Sequence, residues 1–196
     1  MHILLSSGSP RRKELLKLMG LSFEVRVPIT PEVQLAGERP SDFCARVSEE
    51  KAREASREHP DSLVIGADTV VVQGGEILGK PRDHDEARRY LVQLQNSRHD
   101  VLTGYTITYR GESVTRVITT AVHFRAMTDD EISWYIATGE PMDKAGAYAL
   151  QGAGSLFIDR IEGSYTNVIG LPVSELYQDL KGFGLSVDHM RGGTFA

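Results

Sequence analysis

The chain has 196 residues, 40% of them apolar and 25% charged, with a formal net charge of -5 and one cysteine. This is the composition of an ordinary soluble globular protein of one domain, or of one core with two lobes. It excludes a general affinity for nucleic acid or anionic membrane, so any phosphate binding has to come from a local cationic cluster. Cys44 alone rules out an internal disulfide and fits a reducing cytoplasm. No run approaches the ~20 apolar residues of a membrane span, and the apolar start His2 to Leu5 is too short for a signal peptide.

In chain order, His2 to Leu5 predicts a short strand and Ser6-Ser7-Gly8-Ser9 a loop of small residues. Ser9 is a good N-cap and Pro10 suits the first helical position, so a helix runs on through Met19 and ends at Gly20. Arg11 and Arg12 then fall in the first turn, where the helix dipole disfavours cations. A bound anion would resolve that conflict, because the free N–H groups of a helix start and two arginines together suit a phosphate. Two solvated surface arginines are the plainer alternative. At i, i+4 spacing the pair shares a face with Leu15 and Leu16 and should lean inward. Neither GxxxxGK[ST] nor GxGxxG occurs.

Leu21 to Val27 reads as a second strand, followed by a proline-containing loop, Pro28 to Pro40, that carries Glu32. Ser41 is expected to cap a long helix from about Asp42 to His59, with an apolar stripe of Phe43, Val47, Ala52 and Ala55. Lys51 lies on or beside that stripe, where a lysine either snorkels or points into a polar cleft.

The run Leu63 to Val72 is apolar and β-branched enough for a buried central strand, and Gly74-Gly75 turns it into a short partner, Glu76 to Leu78. Asp68 sits inside this run. A carboxylate there loses water and needs hydrogen-bond donors, a metal or a cation. It is either a structural Asp–Thr turn or cap, or a catalytic or metal-binding group with Lys80 returning nearby.

Beyond Pro81, Asp83 caps a helix to Leu94, His99 to Tyr109 and Ser113 to Arg125 read as paired strands, and Thr128 opens a helix to Gly139 with a capping box. Glu140 to Ser155 is rich in Gly and Ala without a helical or strand period, and its polar members are Asp143, Lys144 and Gln151. Long loops of this kind are usually functional, and small residues let backbone approach a ligand. Leu156 to Ile161 reads as a strand and Val173 to Gly182 as a helix; the tail 188–196 is expected to be mobile. No repeat or linker divides residues 1–187, which read as one domain.

Several cations with isolated carboxylates suit a polyphosphate substrate chelated to a divalent metal. No convincing Ser-His-Asp order is present, and no motif surrounds Cys44.

The stretches Ser7-Gly8-Ser9-Pro10-Arg11-Arg12-Lys13-Glu14-Leu15-Leu16, Glu50-Lys51-Ala52, Gly66-Ala67-Asp68-Thr69-Val70-Val71, Leu78-Gly79-Lys80-Pro81, Asp143-Lys144-Ala145-Gly146-Ala147-Tyr148, Leu150-Gln151-Gly152 and Val168-Ile169-Gly170-Leu171-Pro172 resemble the Maf family of nucleotide pyrophosphatases. The resemblance implies an α/β fold: an elongated mixed sheet with flanking helices and two lobes around a central cleft, as in inosine-triphosphate pyrophosphatases. It implies a cytoplasmic enzyme that hydrolyses a nucleoside triphosphate to the monophosphate and pyrophosphate with Mg2+ or Mn2+, with no nucleic-acid or membrane partner and a homodimer allowed for. Asp68 matches the family's proton acceptor, and Glu32, Lys51 and Lys80 match its other polar positions; Asp68 and Glu32 are the implied metal ligands. Ser7, Ser9, Arg11 and Arg12 match substrate-binding positions. Where the family has an Asp-x-Asp-Glu run, this chain has Ile29-Thr30-Pro31-Glu32, so the glutamate stands without acidic neighbours. Arg11, Thr69 and Gln151 match the uridine/thymidine triphosphate type, whereas the methyl-guanosine triphosphate type carries Trp, Gln and Glu. A Gln amide offers both the donor and the acceptor that a uracil or thymine edge requires. The alternatives are the same chemistry on 7-methyl-GTP and a non-catalytic nucleotide-binding regulator of septum formation.

Overall fold

The computed structural model describes residues 1–190. It is a mixed α/β fold whose seven strands form one sheet in the order β2-β1-β3-β5-β6-β7, with β4 pairing with β3; the strands are β1 (Ile3–Ser6), β2 (Glu24–Arg26), β3 (Leu63–Gln73), β4 (Glu76–Leu78), β5 (Arg98–Tyr109), β6 (Glu112–Phe124) and β7 (Ile158–Glu162). β1 runs parallel to both β2 and β3, with Leu4 opposite Glu24 and Val64. β4 is antiparallel to β3 and β7 antiparallel to β6. All four residues of β1 are buried, as are the first six of β3. Strands flanked by neighbours on both edges and covered on their faces have no solvent side, which is why their sequences run apolar without alternation.

The helices are α1 (Pro10–Leu18), α2 (Pro40–Glu58), α3 (His84–Leu94), α4 (Asp129–Ala137), α5 (Tyr165–Ile169) and α6 (Val173–Gly182). The caps on α1, α3 and α4 are Ser9, Asp83 and Thr128, each accepting from a backbone N–H of the first turn. α2 begins one residue before Ser41: Pro40 occupies the first helical position, and Arg39 precedes it with its guanidinium on Asp42 at 2.7 and 2.9 Å. Proline's fixed φ and missing N–H suit that first position, which moves the cap upstream.

Three further segments differ from the sequence expectation. The second strand shrinks from Leu21–Val27 to Glu24–Arg26 on the sheet edge. Glu140 to Ser155 is not structureless but folds into 3-10 turns at Glu140–Asp143, Ala145–Ala147 and Ala153–Phe157, the last of which delays β7 to Ile158. α5 had no period to announce it, being a single turn and a half. The start of the expected tail closes a 3-10 turn, Val187–Met190, and its remainder, 191–196, lies outside the described residues.

The chain divides into two compact units. The first holds Met1–Asp68, Thr103–Ile118 and the residues from Gly170 on; the second holds Thr69–Leu102 and Thr119–Ile169. In the first, Leu4 and Val64 pack against Ala52 and Ala55 of α2. The core of the second is built on Leu91, Leu94, Phe124, Tyr135, Tyr148 and Phe157. No described helix is long and apolar enough to cross a membrane.

Candidate active site

Asp68 owes its surroundings to the residue two before it. Positions i and i+2 of a strand face the same way, so Val64, Gly66 and Asp68 all face α2. A Cβ on Gly66 would lie 2.5 Å from the Ser48 carbonyl oxygen and 2.7 Å from the Ala52 nitrogen. On β5, a Cβ on Gly104 would lie 2.4 Å from the Cys44 carbonyl oxygen. The missing methyls let the backbone of α2 rest directly on the two strands. Ser6 adds a tie from β1, its hydroxyl donating to the Lys51 carbonyl at 2.7 Å. From this close-packed backbone the Lys51 side chain reaches Asp68 on β3.

Lys51 is 3% exposed and Asp68 is 5% exposed. The Lys51 ammonium donates to Asp68 Oδ1 at 2.8 Å, to Glu32 Oε1 at 2.6 Å and to the Ala67 carbonyl at 3.4 Å. Three protons thus meet three acceptors, the condition under which a buried ammonium is tolerated. Lys51 does not snorkel: its ammonium is buried, and the group there is a carboxylate–ammonium–carboxylate triad. Glu32 lies on the solvent side of the triad with half its side chain exposed.

Glu32 reaches Lys51 because α2 holds its loop at other points. Glu54 accepts from the Ile29 N–H at 2.9 Å and the Thr30 hydroxyl at 2.7 Å, which keeps its carboxyl below the ordinary range. Arg46 donates to the Val33 carbonyl at 3.0 Å and pairs with Glu38. Sequence reasoning missed both of these residues. The signal was present in the i, i+4 steps of Arg46, Glu50 and Glu54, which make a charged stripe beside the apolar one.

Arg12 leans inward as its spacing predicts, and is 8% exposed. Its Nε donates to the Gly170 carbonyl at 2.9 Å and its Nη1 to Ser7 Oγ at 2.9 Å. Ser7 Oγ also accepts from the Ser9 N–H at 3.2 Å, so the loop before α1 is fixed to the arginine it presents. Burial lowers the Arg12 pKa, Asp68 and Glu32 pull it back up, and Arg11 adds to the lowering. The same two carboxylates thus act on both Lys51 and Arg12, and Ser7, Ser9, Arg11, Arg12, Glu32, Lys51 and Asp68 all belong to the first unit. Arg11 is half-buried.

Thr69, Lys80 and Gln151 belong to the second unit. Thr69 is half-buried and, one residue after Asp68 on a continuous strand, faces the opposite side of the sheet. Lys80 is exposed just beyond β4, and Gln151 is exposed just before the 3-10 turn at Ala153–Phe157. Among the described residues no group of three or more His, Cys, Asp or Glu could hold a metal ion.

The family model described as Maf-like protein matches residues 2–183. The chain belongs to the Maf family. The Maf match takes in every candidate residue from Ser7 to Gln151. A relative from Anaeromyxobacter dehalogenans, named dTTP/UTP pyrophosphatase, is 49% identical over 178 residues, covering 89% of this chain and 90% of that one. A second of the same name, from Vibrio cholerae, is 46% identical over 182 residues, covering 92% of this chain and 97% of that one. The solved structure of the Staphylococcus aureus Ham1 protein aligns over 93% of this chain and 100% of that chain, at a TM-score of 0.49 and 13% identity, too loose a likeness to carry an argument.

Proposed function

We propose that this Maf protein hydrolyses dTTP and UTP to the monophosphate and pyrophosphate. The observation that carries the reading is the buried Asp68–Lys51 pair with Glu32 on its solvent side, in a chain 49% identical to a relative named dTTP/UTP pyrophosphatase. In the reaction a water oxygen bonds to the α-phosphorus, the bond from that phosphorus to the α–β bridging oxygen breaks, and pyrophosphate leaves with the electron pair. Asp68 is the group assigned to take the water's proton. Lys51 holds Asp68 Oδ1 by a charge-assisted hydrogen bond, which orients the carboxylate and leaves Oδ2 as the oxygen that receives the proton.

Ser7, Ser9, Arg11, Arg12 and Lys80 are assigned to the phosphates. A cation held as Arg12 is favours the charge that develops on the leaving pyrophosphate and needs little reorganisation to do so. Gln151 is assigned to the base, with Thr69 and Arg11 secondary. Its amide can give a hydrogen bond to a uracil or thymine carbonyl and accept one from the ring N–H.

The donor set fits a small divalent cation. Two carboxylates converge on one positive group, and Mg2+ is usually held by one or two carboxylates with the rest of its shell from water and phosphate. Asp68 and Glu32 would hold Mg2+ or Mn2+, and the ion would supply neutralisation of the phosphate oxygens. The net charge of -5 and a single, buried cysteine, Cys44, fit an enzyme of the cytoplasm acting on free nucleotides.

A non-catalytic nucleotide binder has no use for a buried carboxylate facing a polyanion, since it repels the ligand. Pyrophosphate release from UTP, dTTP, CTP, GTP and ATP, each with Mg2+ or Mn2+, tests the reading. UTP and dTTP are expected to be turned over fastest, with UMP and dTMP as products. Absence of turnover with every nucleotide would refute it.

A further inference from the structure

The segment carrying Gln151 is pinned on both sides by two residues that the reaction does not use. Tyr135 on α4 is fully buried. Its hydroxyl donates to Glu140 Oε1 at 2.8 Å and accepts from the Ala149 N–H at 3.2 Å. Glu140 Oε2 accepts from the Ala153 N–H at 2.9 Å, and Oε1 accepts from the Gly154 N–H at 3.0 Å. Leu150, Gln151 and Gly152 are the three residues between these anchor points.

The anchors are themselves fixed. The Glu140 N–H donates to Thr138 Oγ1 at 3.1 Å, and the Thr138 hydroxyl donates to the Tyr135 carbonyl at 2.6 Å, so Glu140 is tied to the end of α4. Lys144 donates to the Glu140 carbonyl at 2.8 Å. The fit is close: a Cβ on Gly152, which has φ +126°, would lie 2.4 Å from Glu140 Oε2, and one on Gly154 would lie 2.6 Å from the Tyr135 hydroxyl. Burial alone would raise the Glu140 pKa, but the Gly154 and Ala153 amides and the Tyr135 hydroxyl outweigh it and keep the carboxyl ionised. An ionised carboxylate can accept from all three donors at once; a neutral amide cannot.

We infer that Tyr135 and Glu140 are positioning residues for base recognition, holding the loop of Gln151 in the one conformation that presents its amide to the pyrimidine edge. The inference rests on the assignment of Gln151 to the base. Tyr135 and Glu140 act through the loop backbone and touch no substrate. A loop held this way loses little conformational freedom when a nucleotide binds, so its contribution is to affinity for the base and to discrimination among bases.

The test uses the full chain with Glu140→Gln, Tyr135→Phe, Gln151→Ala and the double variant Glu140→Gln/Gln151→Ala. It measures kcat and KM for UTP, dTTP and CTP, and the Ki of inorganic tripolyphosphate, a probe with no base. Gln at 140 keeps one acceptor oxygen and turns an NH2 towards an amide donor. It should raise KM for UTP and dTTP about tenfold, the scale of one or two lost hydrogen bonds, and narrow their preference over CTP. The Ki of tripolyphosphate should stay at the wild-type value. In the double variant Glu140→Gln should add nothing to the loss already caused by Gln151→Ala, because the two act as one unit. Tyr135→Phe removes a single hydroxyl and should show the same pattern at smaller size, so it carries the test if Glu140→Gln does not fold. An equal rise in the Ki of tripolyphosphate would overturn the inference in favour of general structural support. So would selectivity that follows Gln151→Ala but not Glu140→Gln or Tyr135→Phe, with the role of Gln151 left standing. Unchanged selectivity in Gln151→Ala would overturn that role and the inference with it.

Discussion

Lys51→Met separates the charge of the triad from the packing of its stem. Methionine keeps most of the buried aliphatic chain between α2 and β3 and removes the ammonium. Glu32, with half its side chain exposed, returns to water and contributes little to the loss. Asp68, 5% exposed, has no such recourse and keeps a buried charge without its donor. Breaking a buried pair from one side costs about 3–5 kcal/mol, and at roughly 2–4 °C per kcal/mol for a chain of this size the melting temperature should fall by about 6–20 °C. Adding Asp68→Asn removes the stranded charge, so the double variant should recover at least ~2 kcal/mol of that loss. Urea midpoints of the wild type, both single variants and the double variant give the coupling directly. A loss below ~1 kcal/mol for Lys51→Met, or additive effects in the double variant, would refute the argument from a buried Lys51–Asp68 pair.

Asp68→Asn keeps an oxygen on Lys51 and should fold, yet lose roughly 10²-fold or more in kcat, the scale of an absent general base; wild-type turnover would remove Asp68 from the reaction. Gln151→Glu keeps the size of the side chain but loses its donor, so UTP and dTTP turnover should fall about 10–100-fold while GTP falls less, read from pyrophosphate release with all five nucleotides. His99 is buried beside the Tyr148 hydroxyl at 2.8 Å, and burial, with His123 and Arg98 adding to it, holds its pKa down at about 3. The unfolded chain therefore takes up the proton first, so the stability His99 supplies is present above about pH 6.5 and lost as pH falls towards 3. Thermal unfolding between those values should decline less steeply in His99→Gln, and equal slopes would contradict the assignment.

Much of this architecture was legible because it is local. The apolar run of β3, the Gly74-Gly75 turn, the Ser9, Asp83 and Thr128 caps and the extent of α6 each follow from a few neighbouring residues. Asp68 and Lys51 stood out as charges in apolar patterns, which is the mark of a partner elsewhere. What was not legible is what depends on contact between distant segments. That Lys51 and Asp68 are each other's partner follows from Gly66 and Gly104 letting α2 settle on two strands, and no periodicity encodes that. The Gly/Ala-rich stretch looked irregular because its order comes from Glu140 and Tyr135 gathering backbone amides, not from a repeating pattern. Thr69 remains on the face of β3 opposite Asp68, so a regular strand gives it no direct line to the proposed proton acceptor.

The hydrogen bond from Arg12 to the Gly170 carbonyl spans 158 positions of sequence. On a ribosome, where chains emerge from the N-terminus, Ser7, Arg12, Glu32, Lys51 and Asp68 are all available once the first third of the protein is out. The Gly170 carbonyl, which accepts from the Arg12 Nε, is not. A nascent or prematurely terminated chain therefore lacks both the second strand on which α2 rests, carrying Gly104, and the carbonyl that holds Arg12, and an incomplete product should be unable to hold nucleotide in the cell.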